Sequence, residues 1–149
     1  MNENVQDILD IFSRDNIEEY PRETIDKAFQ YGKELTPYLM GILEDVLADH
    51  KMFMKRERFF GHIFAMNLLA HFGNRSAHKI ILKIMALPRD VVDHLFGDMI
   101  TEDFPRILYQ TCGGRYEKIK ELVLNKKADE FVRASAMQAL VFGVLLDGN

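Results

Sequence analysis

The apolar periodicity of this chain is its most restrictive feature, because it is helical almost from one end to the other. Apolar side chains recur at three- and four-residue spacing, and no run of alternating β-branched residues stands between turn signals. Proline and glycine divide this pattern into segments of helix length. The sequence therefore predicts an all-α protein. Helices are expected near residues 5–12, 21–32, 36–47, 57–72, 76–87, 101–112, 116–124 and 129–146.

Three of these helices carry further signals. Thr36 precedes Pro37 and is expected to cap the helix that follows it. The helix over residues 57–72 is apolar on many sides, which is typical of a helix packed between two neighbours. The run "KMFMKRERFF" (residues 51–60) enters that helix with basic and aromatic side chains. We expect a solvated loop whose rings pack inward, in preference to a site for nucleic acid or an acidic partner.

The C-terminal stretch "YEKIKELVLNKKADEFVRASAMQALVFGVL" reads as two helices joined by a polar turn. Small residues at Ala134, Ala136 and Ala139 allow the second helix to approach a neighbour closely. This unit resembles a HEAT repeat, in which an arginine at the position of Arg133 has a structural role. Earlier parts of the chain form more degenerate units of the same kind.

The helical units predict a stacked architecture. The expected pairs are residues 38–49 with 57–72, 77–86 with 101–112, and 116–124 with 129–146. A length of 149 residues favours a single domain over residues 1–149. Residues 1–35 are expected to form N-terminal cap helices, and residues 36–146 the helical pairs. The predicted fold is a short right-handed α-α superhelix (a HEAT/armadillo-like solenoid) of about three helical pairs plus that cap.

Several stretches together resemble one bacterial family. They are "YPRETIDKAFQYGKELTPYLMGILEDV", "ALPRD", "HLFGDMITEDFPRILYQTCGG" and "ADEFVRASAMQAL". In combination they resemble the family known as domain of unknown function 1186, over nearly the whole chain from Tyr20 to Val144. The resemblance implies a HEAT-like α-solenoid and no established activity. Some relatives continue into a cysteine-rich zinc-binding tail, and nothing about that zinc site carries over to a sequence with one cysteine.

Charge and cysteine content argue against several classes of function. The 19 basic and 23 acidic residues give a net charge of −4, whereas a protein that follows nucleic-acid phosphates needs a basic face. Cys112 is the single cysteine of the sequence, so no intrachain disulfide is expected, as is usual in a reducing cytosol. We see no signal-peptide pattern and no apolar run near the ~20 residues of a membrane span. We therefore expect a cytoplasmic protein with no nucleic-acid or membrane partner.

The sequence contains no clear catalytic or cofactor motif. Asp90, His94 and Asp98 follow one another at four-residue spacing and could line one helix face as metal ligands. Gly97 is expected to end that helix between the last two of them. Cys112 lies at a predicted helix C-terminus, where the helix dipole opposes a thiolate. We therefore expect no catalytic residue, no cofactor and no metal.

Polar residues concentrate in "HLFGDMITEDFPRILYQTCGG" (residues 94–114). Thr101 is expected to cap the helix over residues 101–112, with Glu102 and Asp103 in its first turn, where carboxylates complement the helix dipole. Asp98 has no such explanation. Its carboxylate either stabilises a turn or faces a pocket. Arg106 is the residue with which we expect it to pair.

We expect a non-enzymatic protein–protein interaction scaffold that presents a concave helical surface to a protein partner. The candidate surface residues are polar and lie in the segments expected to form its inner rim. They are His62, Asp98, Glu102, Asp103, Arg106, Tyr109 and Gln110. The alternative is a small enzyme or a ligand- or metal-binding protein that uses Asp98, Glu102, Asp103 and Arg106. A HEAT-like DNA glycosylase is a weaker third hypothesis, because it needs a basic concave face.

The last predicted helix, over residues 129–146, is apolar around most of its circumference. Exposed apolar area of this kind usually marks an interface. A homodimer through this C-terminal helix, a downstream segment, or N-terminal helices folded back over it would each cover the outer side. The sequence leaves these three alternatives open.

Overall fold

A computed structural model describes residues 2–148 of the protein. Within this range the chain is all-helical and contains no strand, which confirms the predicted class. The helices are α1 (Glu3–Phe12), α2 (Arg22–Ala28), α3 (Gly32–Ala48), α4 (His50–Lys55), α5 (Gly61–His71), α6 (His78–Met85), α7 (Arg89–Phe96), α8 (Met99–Glu102), α9 (Phe104–Cys112), α10 (Glu117–Leu124) and α11 (Glu130–Phe142). Short 3₁₀ turns precede α3 and α6, and a π-helical turn (Gly143–Asp147) follows α11.

The helices pack in two layers. Each of the three predicted pairs is in contact: α3 with α5, α6 with α9, and α10 with α11. The second helices of the pairs also follow one another in space, with α5 against α9 and α9 against α11. The first helices do the same, with α3 against α6 and α6 against α10. Helices α1 and α2 pack on each other, and α1 also packs on α3 at one end.

Helix α5 lies at the centre of the core, as its sequence predicts. Eight of its 11 residues are buried, and the side chains of Met66 and Leu69 are completely inaccessible to solvent. The helix contacts α3 on one side and α9 on another. A helix that is apolar on all sides is shielded from water only when it lies between neighbouring helices.

The predicted start of the third helix is wrong. Helix α3 begins at Gly32 and contains Pro37 in its interior. Thr36 is therefore not an N-cap, and its hydroxyl instead donates to the carbonyl of Gly32 at 2.6 Å. Glycine suits this position because the ring of Phe72 lies close to it. A Cβ added at Gly32 would come within 3.0 Å of that ring. Tertiary contact thus overrides the local capping signal.

The helix predicted over residues 57–72 starts later, at Gly61, and the preceding run forms a separate helix, α4. Arg58 adopts a positive φ of 51° between them, which turns the chain. A Cβ at Gly61 would lie 2.4 Å from the carbonyl oxygen of Phe12, so only glycine fits this close approach. Packing against α1 therefore sets the start of α5, and the sequence pattern does not reveal it.

Residues 56–58 are tied to the connection between α1 and α2. The backbone N–H of Asn16 donates to the carbonyl of Glu57 at 2.8 Å, and that of Ile17 to the carbonyl of Arg58 at 3.1 Å. Arg56 adds an ion pair with Asp15 at 2.8 Å. The guanidinium of Arg56 also lies 3.6 Å above the ring of Phe59. We call these contacts, between residues 13–17 and 56–58, the tie. The basic run therefore has a structural role, and its aromatic rings pack inward as predicted.

No helix among residues 2–148 combines the length and apolar character that crossing a bilayer requires.

Candidate functional site

The polar segment after α7 forms two short helical units where the sequence predicts one helix over residues 101–112. Gly97 ends α7 with a φ of 52°, and α8 follows with Thr101 in its interior. The Thr101 hydroxyl donates back to the carbonyl of Asp98 at 3.3 Å, so the predicted N-cap is wrong. Helix α9 then begins at Phe104 with Pro105 in its first turn. Proline has no N–H to donate to the carbonyl of Thr101, which explains the break between the two helices.

Asp98 is exposed, and its backbone rather than its carboxylate starts α8. The Asp98 carbonyl accepts hydrogen bonds from the N–H groups of Thr101 and Glu102 at 3.2 and 3.1 Å. The Asp98 side chain makes no capping hydrogen bond. Glu102 is likewise exposed on α8. Within residues 2–148 no group of three or more His, Cys, Asp or Glu side chains is placed to hold a metal ion.

Arg106 organises a polar cluster that joins α9 to α5. Its guanidinium donates to Asn67 Oδ1 at 2.6 Å and to Gln110 Oε1 at 2.8 Å. Asp103 Oδ1 accepts from the same guanidinium at 3.4 Å. Arg106 and Asp103 are both a little more than one-third exposed. The structure thus brings together Asp103, Arg106 and Gln110 of the predicted set, and it adds Asn67.

His62 is buried in the core, which contradicts its predicted place on an exposed surface. It is 3% exposed, and its Nε2 lies 2.6 Å from the carbonyl oxygen of Leu95. Since a carbonyl can only accept, Nε2 carries the proton, and the buried Nδ1 has no hydrogen-bond partner. The pKa of His62 is lowered to about 4, mainly by burial and also by the charge of Arg56, while the bond to Leu95 opposes the shift. The ring is stacked on Phe59, with centroids 5.7 Å apart.

Tyr109 is engaged with a residue that the sequence did not indicate. Its hydroxyl donates to Asp147 Oδ1 at 2.7 Å, and the Tyr116 hydroxyl donates to the other oxygen of the same carboxylate. These two bonds, from Tyr116 first and Tyr109 second, lower the pKa of Asp147. The bond to Asp147 in turn raises the pKa of Tyr109. Asp147 therefore holds the end of α11 to α9 and to the start of α10.

A cleft of about 530 Å³ opens beside the Arg106 cluster. Its floor is the half-buried side of α5, and its roof is the chain between α1 and α2. Apolar side chains form most of its wall: Ile17, Tyr20, Ile25, Phe29, Phe60, Ile63, Phe64 and Leu68. Polar side chains line the remainder: Glu18, Glu19, Arg58, Asn67, His71 and Arg106.

The roof of this cleft depends on the tie that anchors Ile17 to Arg58. No sequence signal predicts that residues 17–20 cross over α5, since the bonds join positions 41 residues apart. The cleft and the Arg106 cluster form one continuous surface, which we call the α5–α9 face. It offers an apolar slot next to a partly exposed guanidinium.

Comparison with known proteins gives a family and two relatives. A family model described as "Protein of unknown function (DUF1186)" matches residues 3–147. Curated proteins of Chlamydia muridarum (strain MoPn / Nigg) and Chlamydia trachomatis serovar D, each called "Uncharacterized protein", are 34% identical over 121 residues. The match covers 81% of this chain and 48% of each relative, so the chain spans about half the length of those proteins. No solved structure is significantly similar.

Proposed function

The chain belongs to the DUF1186 family, and we propose that it acts there as a non-enzymatic interaction module that docks a partner protein on its α5–α9 face. The observation that carries the proposal is the apolar cleft of about 530 Å³ beside the partly exposed Arg106. Such a combination suits an apolar side chain and a neighbouring carboxylate of a partner segment, because aromatic walls and arginine are enriched at binding anchors.

We also propose that the two helical layers form a short right-handed superhelix of the HEAT kind within a single domain, residues 1–149. The contacts of α5 with α9 and of α9 with α11 support this, because successive second helices line one surface in a solenoid. In this proposal residues 1–35 cap the stack and residues 36–146 form its pairs. The α5–α9 face then belongs to the concave side.

A photoreactive amino acid at Gln110 tests the docking proposal in cells that express the protein. We expect one crosslinked adduct of defined mass that disappears when Arg106→Ala is added. The matched control is Arg14→Ala, which removes an exposed arginine outside the cleft and should leave the adduct intact. The same reagent at Lys126, in the exposed turn before α11, should give no such adduct. Equal adducts from Gln110 and Lys126, or an adduct indifferent to Arg106→Ala, would refute the proposal.

The alternative of a small enzyme or ligand-binding protein has less support. Of its four residues, Asp98, Glu102, Asp103 and Arg106, only the last two are in contact. Asp98, just before α8, and Glu102, at its end, are both exposed. The lone buried cysteine suits the cytoplasm, which is the location that we propose.

A homodimer through α11 is a second proposed interaction. Apolar side chains on its outer side and on the π-helical turn are 40–74% exposed: Phe131, Met137, Val141, Val144, Leu145 and Leu146. The N-terminal helices do not cover them, since α1 and α2 pack at the α3 end. Sedimentation equilibrium of the wild type and of Phe131→Ser with Val141→Ser tests this. A wild type that stays monomeric at about 100 μM, where micromolar association would be evident, would exclude the dimer.

A further inference from the structure

A second groove, of about 920 Å³, lies between α6 and α10 in the other helical layer. Charged side chains line both walls: Arg75, Lys79, Lys83, Arg115, Lys118, Glu117 and Glu121. We call this the α6–α10 groove. It shares no lining residue with the cleft on the α5–α9 face.

The cations of the groove are largely without internal counterions. Lys118 forms an ion pair with Glu121 at 3.3 Å, whereas the other four cations form none with the described residues. The groove holds five cations and two carboxylates, so it carries an excess of positive charge, and a concave surface of this kind attracts anionic groups.

The arrangement of these cations is fixed by regular structure. Arg75, Lys79 and Lys83 follow one another at four-residue spacing, so they form a row along the start and one face of α6. The Arg75 side chain lies across Gly113 at the end of α9, where a Cβ would come within 2.6 Å of its Nε. Gly113 has a φ of 61° and ends α9, so glycine both stops that helix and leaves space for the arginine.

The floor of the groove favours a polypeptide over a nucleic acid. Leu82, Ala86 and Leu122 supply an apolar strip, and none of the described lining residues is a phenylalanine, tyrosine or tryptophan. Proteins that bind single-stranded nucleic acid stack its bases on such rings.

We propose that the α6–α10 groove binds an acidic amphipathic segment of a partner protein. Its carboxylates pair with the row on α6 and with Arg115, while its apolar side chains lie on the strip between the walls. Attraction of this kind acts mainly through complementary charge, and it weakens with salt. The groove is separate from the α5–α9 face, so the two interactions are independent.

Fluorescence anisotropy with two labelled peptides of about 12 residues (~18 Å as a helix) tests this proposal. Both peptides carry the same leucines and alanines, with glutamate at every remaining position in one and lysine in the other. We expect the acidic peptide to bind and the basic peptide not to bind. Raising the salt from about 50 mM to about 300 mM should weaken binding several-fold.

Charge reversal locates the site. Lys79→Glu with Lys83→Glu changes two exposed side chains on one wall and should weaken binding at least about tenfold. Lys126→Glu with Lys127→Glu makes the same change of charge in an exposed turn outside the groove and should alter it less than about twofold. Arg115→Glu on the opposite wall serves as a second variant if the first pair unfolds. Arg106→Ala should leave peptide binding unchanged, so failure here and failure of the α5–α9 proposal are distinguishable.

Three results would overturn the proposal. The first is no binding of the acidic peptide at about 1 mM protein, or binding that the groove variants leave intact. The second is tighter binding of a labelled single-stranded oligonucleotide that the groove variants abolish, which would make nucleic acid the occupant. The third is self-association that the groove variants and salt abolish. It would make the occupant a second copy, whose exposed N-terminal helices carry Glu3, Asp7, Asp10, Glu23 and Asp26.

Discussion

Helices α5 and α11 share an apolar sequence pattern but differ in what surrounds them. Both are apolar around most of their circumference. Helix α5 lies between α3 and α9, and its Met66 and Leu69 are fully buried. Helix α11 packs on α9 and α10, yet Phe131 and Met137 remain about half exposed. An apolar circumference therefore shows that a helix has more than one face to cover, and it does not show which faces its own chain covers.

The largest contrast should appear when a leucine is replaced by alanine in α5 and in the turn that follows α11. Leu69→Ala in α5 removes a fully buried side chain and should lower the free energy of unfolding by about 2–5 kcal/mol. Leu145→Ala, just beyond α11 and 74% exposed, should change it by about 0.5 kcal/mol or less. Urea denaturation followed by circular dichroism measures both. Losses of equal size would show that the bare side of α11 is covered in solution.

Acid should destabilise the folded protein through His62, which lies in α5. Its pKa is about 4 in the folded protein, against the ordinary histidine value of 6.5, so the unfolded chain binds the proton first as the pH falls. The contribution of His62 to stability is therefore fully present well above pH 6.5 and is lost between pH 6.5 and about 4, by roughly 3 kcal/mol. Burial also lowers the pKa of His78, so this histidine too contributes a loss of stability as the pH falls.

His62→Leu isolates the contribution of the buried ring. The dependence of the free energy of unfolding on pH should become shallower in this variant between pH 6.5 and about 4, whatever its stability at neutral pH. His78→Leu gives the matched measurement for the other histidine. An unchanged slope in His62→Leu would mean that His62 is solvated.

Glycines at the two helices give a smaller test. Gly61→Ala in α5 places a Cβ 2.4 Å from a backbone oxygen, that of Phe12, and should cost about 1–3 kcal/mol. Gly143→Ala after α11 meets the ring of Tyr116 instead, and a ring adjusts more easily than backbone. We expect a smaller loss there, again in urea denaturation.

Gly41→Ala is the control for the glycine test, because no atom lies within 4 Å of its added Cβ. It lies inside α3 and should stabilise the protein by about 0.5–1 kcal/mol. A larger loss from Gly143→Ala than from Gly61→Ala would reverse our ranking of the two contacts.

The smallest expected effect is at the end of α11. Asp147→Asn removes the charge that accepts from Tyr109 and Tyr116. Since the bond to Asp147 raises the pKa of Tyr109, this tyrosine should ionise at lower pH in the variant. Ultraviolet difference absorbance during alkaline titration measures the shift, with Tyr109→Phe to assign the signal. Superimposable titrations of wild type and Asp147→Asn would argue against the hydrogen bond in solution.

The sequence was sufficient for the helical class, because that class depends on periodicity within short windows. It was insufficient where long-range packing sets a boundary. The start of α3 at Gly32 reflects the ring of Phe72, and the start of α5 at Gly61 reflects the carbonyl of Phe12. Neither partner is near in sequence, so local capping rules could not predict these boundaries.

The candidate site shows the same division. Arg106 lies three residues after Asp103, which precedes α9, and four residues before Gln110, so their contacts follow from helical spacing. Asn67 and Asp147 lie 39 and 38 residues from their partners, and their contacts follow only from the tertiary fold. The predicted exposure of His62 is wrong because the sequence pattern of a largely apolar helix does not indicate whether one of its polar residues is buried.

The tie between residues 13–17 and 56–58 has a kinetic consequence. Asn16 and Ile17 lie outside any helix, yet their amide protons are bonded to Glu57 and Arg58. These protons should exchange with deuterium more slowly than those of an ordinary surface loop, because exchange requires the tie to open. The same opening releases the roof over α5. Exchange rates at these two amides would therefore report the free energy that holds this roof in place.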